Sequence, residues 1–393
     1  MATVAARVGT LGAYERFNFG DLLFPVILDL VRSESNGTGV SDLQHFSLST
    51  GDLRANGGVA SDPVGRIGRS KDRYSIIVGG GEIGGASWFS MWSSLHSTRF
   101  DLAFKGFRRA SSRNFRESIA RRALNGDWKY PFVPEHENIR SVGYNAIGAS
   151  HSSILPAAKQ REIWAKIGAA SYISVRDHQT ADLAETHGLK PFLVPDSAAA
   201  MFAFERFSSL QDRAPSSFAD RPVTVQLSRA WMTSYGIEAL HALDRIGNAH
   251  GGLTLLPVGL ASGHSDLVGL RELAAKLKSP TKILYPQSVD SIIEQVASSS
   301  LVVGSSLHIN IVAMAAGVPN IPLGGIGKLK YYVDTWGFEE DSPVLGDEIF
   351  TRYLELMNDR RLDERKNRAL THRNLAYNSI VRVLQETLNE SPI

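Results

Sequence analysis

A histidine in the last third of the chain combines a reactive side chain with a position that attracts anions. Residues 301–303 are apolar and predict a buried strand, Gly304 allows a tight turn, and a helix is predicted to run on to Ala316. His308 then falls in the first helical turn, where free backbone N–H groups and the helix dipole favour an anion by roughly 0.3–1 kcal/mol per charge. We expect a phosphate or carboxylate to bind beside His308; the alternative is a capping or core histidine.

The neighbours of His308 define what such a site could do. Ser305 or Ser306 can cap the helix, and Gly317 is placed to end it. The backbone from Ser305 to Leu307 supplies the expected anion donors. The helix dipole disfavours a protonated imidazole unless a bound anion compensates, so substrate binding would be coupled to the acidity of His308.

Carboxylates follow other predicted strands. Asp21, in the run Asn18-Phe-Gly-Asp21, begins an apolar stretch and is either a helix cap or a group that orients an acceptor hydroxyl. Asp177 is expected to cap a helix, and Asp196 after a proline is typical of turn chemistry. Each therefore has a structural and a functional interpretation.

A glycine run, Gly79-Gly80-Gly81-Glu82, follows the predicted strand over residues 74–78. It would let the backbone approach a ligand closely, although tight packing explains it equally well. No Gly-Lys-Ser/Thr follows the run, which excludes a Walker loop. We do not expect the run to be a dinucleotide fingerprint with its acidic partner.

Three cations stand near predicted strand ends. Arg176 follows the strand predicted over residues 170–175, where its guanidinium suits a fork-like grip on carboxylate or phosphate. Arg229 and Lys328 add positive charge near other strand ends. A local pair or a solvent-facing side chain is the alternative for each.

A basic segment with aromatic residues covers residues 105–122. A solvated helix face is one interpretation, contact with an anionic membrane surface or a pyrophosphate-bearing lipid carrier is a second, and nucleic acid is a third with no recognisable module behind it. The cations of the segment are Lys105, Arg108, Arg109, Arg113, Arg116, Arg121 and Arg122, and the aromatic residues in it or next to it are Phe104, Phe107 and Phe115.

Short β-rich runs alternate with helical patterns, which is typical of parallel sheets with crossover helices. The clearest runs are residues 74–78, 139–144, 170–175, 223–227, 253–258, 282–285 and 301–303. Two doubly wound α/β, Rossmann-like domains facing a cleft are predicted, with ligands at the carboxyl ends of the strands. We expect domains over residues 1–205 and 206–345, packing helices over 346–393, and a linker over 208–222.

Composition narrows the function classes. The chain has 393 residues and no cysteine, which excludes disulfides, thiol nucleophiles and Cys-ligated metals. Its formal charge of +2 gives no general nucleic-acid footprint, and the spacing of the histidines indicates no metal site. Residues 1–20 resemble neither a signal peptide nor an anchor, and no apolar run is long enough to span a bilayer. We expect a soluble, cytoplasmic protein.

Several segments together resemble the polysaccharide pyruvyl transferase family. They are Asn18-Phe-Gly-Asp21, Ile77-Val-Gly-Gly-Gly81, Ser174-Val-Arg-Asp177 with Val194-Pro-Asp196, and Gly304-Ser-Ser-Leu-His308 with Ala315-Ala-Gly-Val-Pro319. Their order and spacing cover roughly residues 10–340.

The resemblance implies a fold like that of the GT-B glycosyltransferases, with phosphoenolpyruvate as donor and co-substrate, a pair of sugar hydroxyls as acceptor, and no other cofactor. On that basis His308 is the expected general acid, and Asp21 or Asp177 orients a hydroxyl. Arg176 and the helix N-terminus from Ser305 are expected to bind the donor. The acceptor sugar, either free or lipid-linked, is expected to bind at Asn18, Gly80, Gly81 and Glu82.

One position departs from the family pattern. The block usually reads Ser-Arg-Leu-His in this family, and here Ser306 stands in place of the arginine. Without that arginine, donor binding would be weaker by a few kcal/mol unless another cation replaces it. The candidates for this replacement are Arg176, Arg229 and Lys328. The alternatives are a GT-B-type glycosyltransferase that uses a nucleotide sugar, or a catalytically lapsed member that binds polysaccharide.

Overall fold

The computed structural model describes residues 7–34, 42–96, 101–212, 221–259, 266–285, 288–358 and 361–389. Contacts within the chain divide it into two compact units. Unit 1 takes the residues up to Phe17, Asp21–Val194 and those from Asn378 on, and unit 2 takes Asn18–Gly20 and Pro195–Tyr377. The domain limits expected from the sequence stay predictions.

Unit 1 is built on one sheet whose strands are β1 (Arg7–Leu11), β2 (Leu43–Ser47), β3 (Gly51–Asp52), β4 (Ala60–Pro63), β5 (Tyr74–Gly79), β6 (Ile139–Ile147), β7 (Tyr172–Val175) and β8 (Phe192–Leu193). Their order is β3-β4-β2-β1-β5-β6-β7-β8, and only the β3–β4 pair is antiparallel. Ile76 and Ile77, on opposite faces of β5, are both fully buried. The central strands are therefore covered on both faces, as a parallel sheet requires.

The helices of this part of the chain are α1 (Phe19–Glu34), α2 (Gly65–Arg69), α3 (Trp88–Ser94), α4 (Asp101–Ala110), α5 (Arg113–Ala123), α6 (Ala157–Ile167) and α7 (His178–Glu185). Trp88 of α3 and Trp164 of α6 are buried in one apolar cluster with Val78 and Val175 from the sheet. This packing fixes the strand ends that carry the glycine run and Arg176.

Unit 2 is built on a sheet of five strands, β9 (Val223–Gln226), β10 (Leu253–Leu255), β11 (Thr281–Ile283), β12 (Leu301–Gly304) and β13 (Asn320–Pro322). The order is β11-β10-β9-β12-β13, and every pair is parallel. Val225 and Val303, paired across β9 and β12, are fully buried. The carboxyl ends of these two central strands are therefore held side by side.

The later helices are α8 (Glu205–Asp212), α9 (Arg229–Ala249), α10 (Asp266–Ala274), α11 (Val289–Ala297), α12 (Leu307–Ala316), α13 (Gly327–Trp336), α14 (Glu348–Met357) and α15 (Leu362–Asn389). The last part of α15 belongs to unit 1. There Ser379 donates to Asn145 Oδ1 at 2.8 Å, and the Thr387 carbonyl accepts from Ser141 Oγ at 2.6 Å.

The seven strand runs named from the sequence all contain strands, and helices α14 and α15 confirm the helical prediction beyond residue 346. The linker predicted over residues 208–222 is wrong at its start, because α8 continues to Asp212. Phe207 is buried in that helix, and Arg206 bonds Asp290 at 2.7 Å. Residues 213–220 of the predicted linker lie outside the described residues.

Within the described ranges, every helix is too short or too polar to span a lipid bilayer.

Candidate functional site

The β12–α12 junction has the local structure that its sequence predicts. Strand β12 ends at Gly304, Ser306 is the N-cap residue, and α12 runs from Leu307 to Ala316. Gly317 ends the helix in the left-handed conformation, at a φ of 69°. The Ser306 side chain makes no capping hydrogen bond, so this serine occupies the cap position without acting as a side-chain cap.

A buried polar network orders this junction. The Ser306 N–H donates to Gln226 Oε1 at 2.8 Å, and Gln226 Nε2 donates to Asp266 Oδ2 at 3.0 Å. Ser305 Oγ accepts from the Ser228 N–H at 2.9 Å. Because Gln226 and Asp266 are almost fully buried, these bonds satisfy polar groups that water does not reach. The ends of β9 and β12 and the start of α12 are thereby held in register.

His308 lies beside a carboxylate and against a glycine. Its Nε2 is 3.9 Å from Asp196 Oδ2, and the imidazole is 12% exposed. Asp196 is itself fixed, because its Oδ1 accepts from the Ala198 N–H at 3.1 Å at the start of the 3-10 helix Ser197–Ala203. A Cβ atom on Gly20 would stand 1.9 Å from His308 Nδ1. The absence of a side chain at Gly20 therefore makes the space that the ring occupies.

Two of the predicted donor-binding cations lie in the same unit as His308. Arg229 is the first residue of α9 and is exposed. Lys328 is in the first turn of α13 and is half-buried. Asn18 of the predicted acceptor set also belongs to unit 2, where it pairs with Gly259 in an isolated bridge.

Arg176 lies in a buried carboxylate cluster of unit 1. Its side chain is 1% exposed, with Nη2 3.8 Å from Glu82 Oε2 and Nε 3.9 Å from Asp177 Oδ2. A Cβ atom on Gly148 would approach Nη2 to 2.6 Å, so this glycine makes room for the guanidinium. Asp177 caps α7, as predicted, by accepting from the Thr180 N–H at 2.7 Å.

The glycine run and Asp21 come together in unit 1. Gly80 and Gly81 have φ angles of 67° and 77°, a region that L side chains rarely adopt. A Cβ atom on Gly81 would be 3.9 Å from Asp21 Oδ1, which places this carboxylate of the first α1 turn beside the run. Glu82 Oε1 accepts from the His151 N–H at 2.8 Å.

Glu15 is a further ionisable group near Asp21 that the sequence does not single out. Its carboxylate is 2% exposed; it is 3.4 Å from Arg16 Nη1 and accepts from the Leu48 N–H at 3.3 Å. Burial raises the pKa of Glu15, and the neighbouring charge of Asp21 adds to the rise, although Arg16 opposes it. In the sequence, Glu15 is marked only by its position shortly after the first strand, because burial cannot be inferred from residue spacing.

The predicted site residues thus fall into two groups, and their roles stay predictions. Unit 2 holds His308, Ser305, Ser306, Leu307, Arg229, Lys328 and Asn18. Unit 1 holds Asp21, Gly80, Gly81, Glu82, Arg176 and Asp177.

Comparison with known proteins gives a family match. A family model described as polysaccharide pyruvyl transferase matches residues 18–325. The matched range includes every predicted site residue except Lys328. A search of curated proteins finds no match.

Solved structures with a similar fold include nucleotide-sugar enzymes. A protein from Listeria monocytogenes described as a UDP-N-acetylglucosamine 2-epimerase aligns with a TM-score of 0.53 and 12% identity over 100% of both chains. Another UDP-N-acetylglucosamine 2-epimerase aligns at 0.51 and 15%, over 100% of this chain and 99% of that one. MnaA of S. aureus, solved with UDP, aligns at 0.51 and 13%, over 95% of this chain and 94% of that one. At such identities the likeness establishes the GT-B-type fold.

Proposed function

The chain belongs to the polysaccharide pyruvyl transferase family, and from that premise we propose that it moves the pyruvyl group of phosphoenolpyruvate onto a sugar of a cell-envelope or exopolysaccharide acceptor. The product is a pyruvate ketal, and phosphoenolpyruvate is the only co-substrate proposed. The observation that carries the proposal is His308 at the start of α12, set against Gly20 and 3.9 Å from Asp196.

The reaction needs an acid beside an anion site. The acid gives its proton to the methylene carbon of the donor, and the neighbouring carbon becomes an oxocarbenium-like electrophile. A sugar hydroxyl bonds to that carbon and gives up its proton, and the bond to the phosphate oxygen breaks so that inorganic phosphate leaves with the electron pair. A second hydroxyl then bonds to the same carbon, loses its proton and closes the ketal ring.

His308 is proposed as the acid. The first turn of α12 brings its imidazole to the helix N-terminus, where the Leu307 N–H and the dipole favour a phosphate or carboxylate. Asp196 is proposed as the positioning residue that holds the ring orientation, because its own carboxylate is fixed by the Ala198 N–H. Partial exposure of the imidazole leaves it reachable by a donor.

The negative charge of the donor must be balanced without the arginine that the family usually has where this chain has Ser306. Ser306 carries no charge, and its N–H already donates to Gln226, so a cation for the donor has to come from another residue. Arg229 and Lys328 are favoured as the clamp because both belong to the unit of His308 and start helices. Arg176 is proposed as a third contributor from unit 1.

Acceptor binding is proposed for Asn18, Gly80, Gly81 and Glu82, with Asp21 or Asp177 orienting the hydroxyl. The support comes from contacts within unit 1. A Cβ atom on Gly81 would meet Asp21 Oδ1 only at 3.9 Å, so there is room for a small group beside this carboxylate, and Glu82 Oε1 accepts from the His151 N–H. Asp177 is buried and its Oδ1 caps α7, which favours Asp21 for the role of base.

A peripheral contact with the cytoplasmic membrane face is proposed for residues 105–122. Four of the five charged residues of helix α5 are arginines, and Phe115 of this helix is 54% exposed. A basic helix with an exposed aromatic side chain suits an anionic lipid surface.

The test is turnover with phosphoenolpyruvate and a panel of cell-envelope oligosaccharides, read as acceptor mass gain and phosphate release. We expect both signals with one acceptor class. In His308→Ala, turnover should fall by about 10²- to 10⁴-fold with an unchanged thermal midpoint, because a positioned acid contributes about that much.

The matched control is His241→Ala, since His241 is in the same unit and its side chain is 72% exposed. This variant should keep full turnover. Glycosyl transfer from nucleotide sugars with no use of phosphoenolpyruvate would contradict the proposal in favour of a glycosyltransferase. Failure to bind phosphoenolpyruvate in the presence of acceptor would favour a lapsed, binding-only protein.

A further inference from the structure

A cavity of about 510 Å³ lies in unit 1, outside the predicted transfer site. Its walls come from α5, from the starts of α3 and α6 and from the segment 129–131, and we call it the α5–α6 pocket. The volume falls within the range of about 300–1,000 Å³ that is typical of small-molecule sites. No residue predicted for donor or acceptor binding lines it.

Both carboxylates of the pocket already have partners. Glu162 accepts from Lys129 Nζ at 2.7 Å and from the Tyr130 hydroxyl at 2.8 Å, and these bonds lower the pKa of Glu162. Glu117 accepts from the Trp88 backbone N–H at 2.9 Å. Both carboxylates are therefore hydrogen-bonded by other residues that line the pocket.

Three further cations line the pocket, Arg113, Arg121 and Lys159. In the part of the chain that the structure describes, none of the three comes within ion-pair distance of a carboxylate. Lys159 Nζ instead lies over the Tyr130 ring, 5.1 Å from its centroid. Desolvation, and after it the charge of Arg113, lower the pKa of Lys159. Like charges that share a partly desolvated wall repel each other, and a bound anion relieves that repulsion.

We propose that the α5–α6 pocket binds a ligand bearing a phosphate or diphosphate group. Two guanidinium forks and an ammonium group around one cavity match an anion with several oxygens and at least two charges, and guanidinium groups bind phosphate oxygens in pairs. The group can come from a soluble molecule or from a lipid headgroup. The proposal is independent of pyruvyl transfer.

The experiment is calorimetric titration of the full chain with inorganic diphosphate at low ionic strength. We expect binding by the natural chain and a Kd that rises roughly tenfold in Arg113→Gln and in Lys159→Gln, because each removes one charge-assisted contact. Arg161→Gln is the matched control: Arg161 is exposed on α6, the helix of Lys159, and lies outside both the pocket lining and residues 105–122. Its Kd should be unchanged.

A second arm separates the two sources of phosphate. Vesicles of phosphatidic acid are sedimented with each variant, and phosphatidylcholine vesicles serve as the neutral reference. Binding to phosphatidic acid that depends on Arg113 and Lys159 supports a lipid headgroup, and diphosphate binding with that dependence supports a soluble ligand. Binding of neither probe, or equal weakening by Arg161→Gln, overturns the proposal.

The same titrations keep the pocket distinct from the transferase proposal. His308→Ala should bind diphosphate as the natural chain does. Loss of diphosphate binding in His308→Ala with no change in Arg113→Gln would place the anion at the donor site and overturn the pocket. A chain that binds diphosphate through Arg113 but never uses phosphoenolpyruvate would overturn the transferase proposal alone.

Discussion

At the scale of single residues, the position of the His308 ring requires that residue 20 has no Cβ atom. The backbone of Gly20 lies so close to the imidazole that a methyl group there would overlap Nδ1, with only 1.9 Å between the two atoms. On the other side Asp196 stands 3.9 Å from Nε2. The ring is thus bounded on both nitrogens, and its orientation follows from its neighbours.

Replacement of Gly20 by Ala should displace the ring and lower pyruvyl-transfer turnover by roughly a hundredfold, since a misplacement of about 1 Å can cost that much. Secondary structure should persist, because Gly20 is in a helix and alanine favours helices. Steady-state kinetics and circular dichroism measure the two effects. Gly106→Ala is the control, because a Cβ atom there meets nothing within 4 Å. Full activity in Gly20→Ala would show that the ring position is not critical.

Spacing predicts His308 at a helix start, but it cannot predict the residues on either side of the ring. The strand, the tight turn and the helix stop at Gly317 are local patterns, and all three are confirmed. The contacts with Gly20 and Asp196 join segments far apart in the chain, so they depend on tertiary packing. The same reason hides the burial of Arg176, which looks like any strand-end arginine until Gly148 and Glu82 enclose it.

At the scale of elements, one carboxylate ties several chain segments together. Asp266 Oδ2 accepts from Gln226 Nε2 and also from the N–H groups of Val258 and Gly259, at 3.0, 3.2 and 3.0 Å. Gln226 in turn accepts from the Ser306 N–H. The first turn of α10 therefore fixes the end of β9, the loop after β10 and the start of α12.

Replacement of Asp266 by Ala should lower the free energy of unfolding by roughly 3 kcal/mol, because three donors lose a buried charged acceptor. Chemical denaturation measures the change. Asp290→Ala is the matched control: Asp290 is also in a first helical turn, but its bond with Arg206 is solvent-exposed, so the loss should stay within about 1 kcal/mol. Equal losses in both variants would contradict the role of Asp266.

At the scale of the whole molecule, two α/β sheets could be predicted from the alternation of strands and helices alone. The short strands β3 and β8 have two residues each, too few to leave a pattern. Amphipathic spacing predicts helices beyond residue 346, but it does not say which sheet they cover. The structure settles this for the end of α15, where Ser379 and Thr387 bond to unit 1.

Stability should also depend on pH through His372. Desolvation, with the charge of Arg368 second, lowers the pKa of His372 to about 4 from an ordinary 6.5. Between these values the unfolded chain binds a proton that the folded chain does not, so the free energy of unfolding falls as the pH drops from about 6.5 to about 4, by up to about 3 kcal/mol.

Urea denaturation across that pH range measures the slope. His372→Gln should flatten it, and His241→Gln, which changes an exposed histidine, should leave it as it is. An unchanged slope in His372→Gln would assign the pH dependence to other groups.

The division of α15 between the units has a consequence for synthesis on the ribosome. Residues 378–389 follow all of unit 2 in the chain, yet they contact β6 and β7 of unit 1. During translation, β6 and β7 therefore lack these contacts until unit 2 has been made. A chain that stops before Asn378 would leave this part of the first sheet without its helical cover.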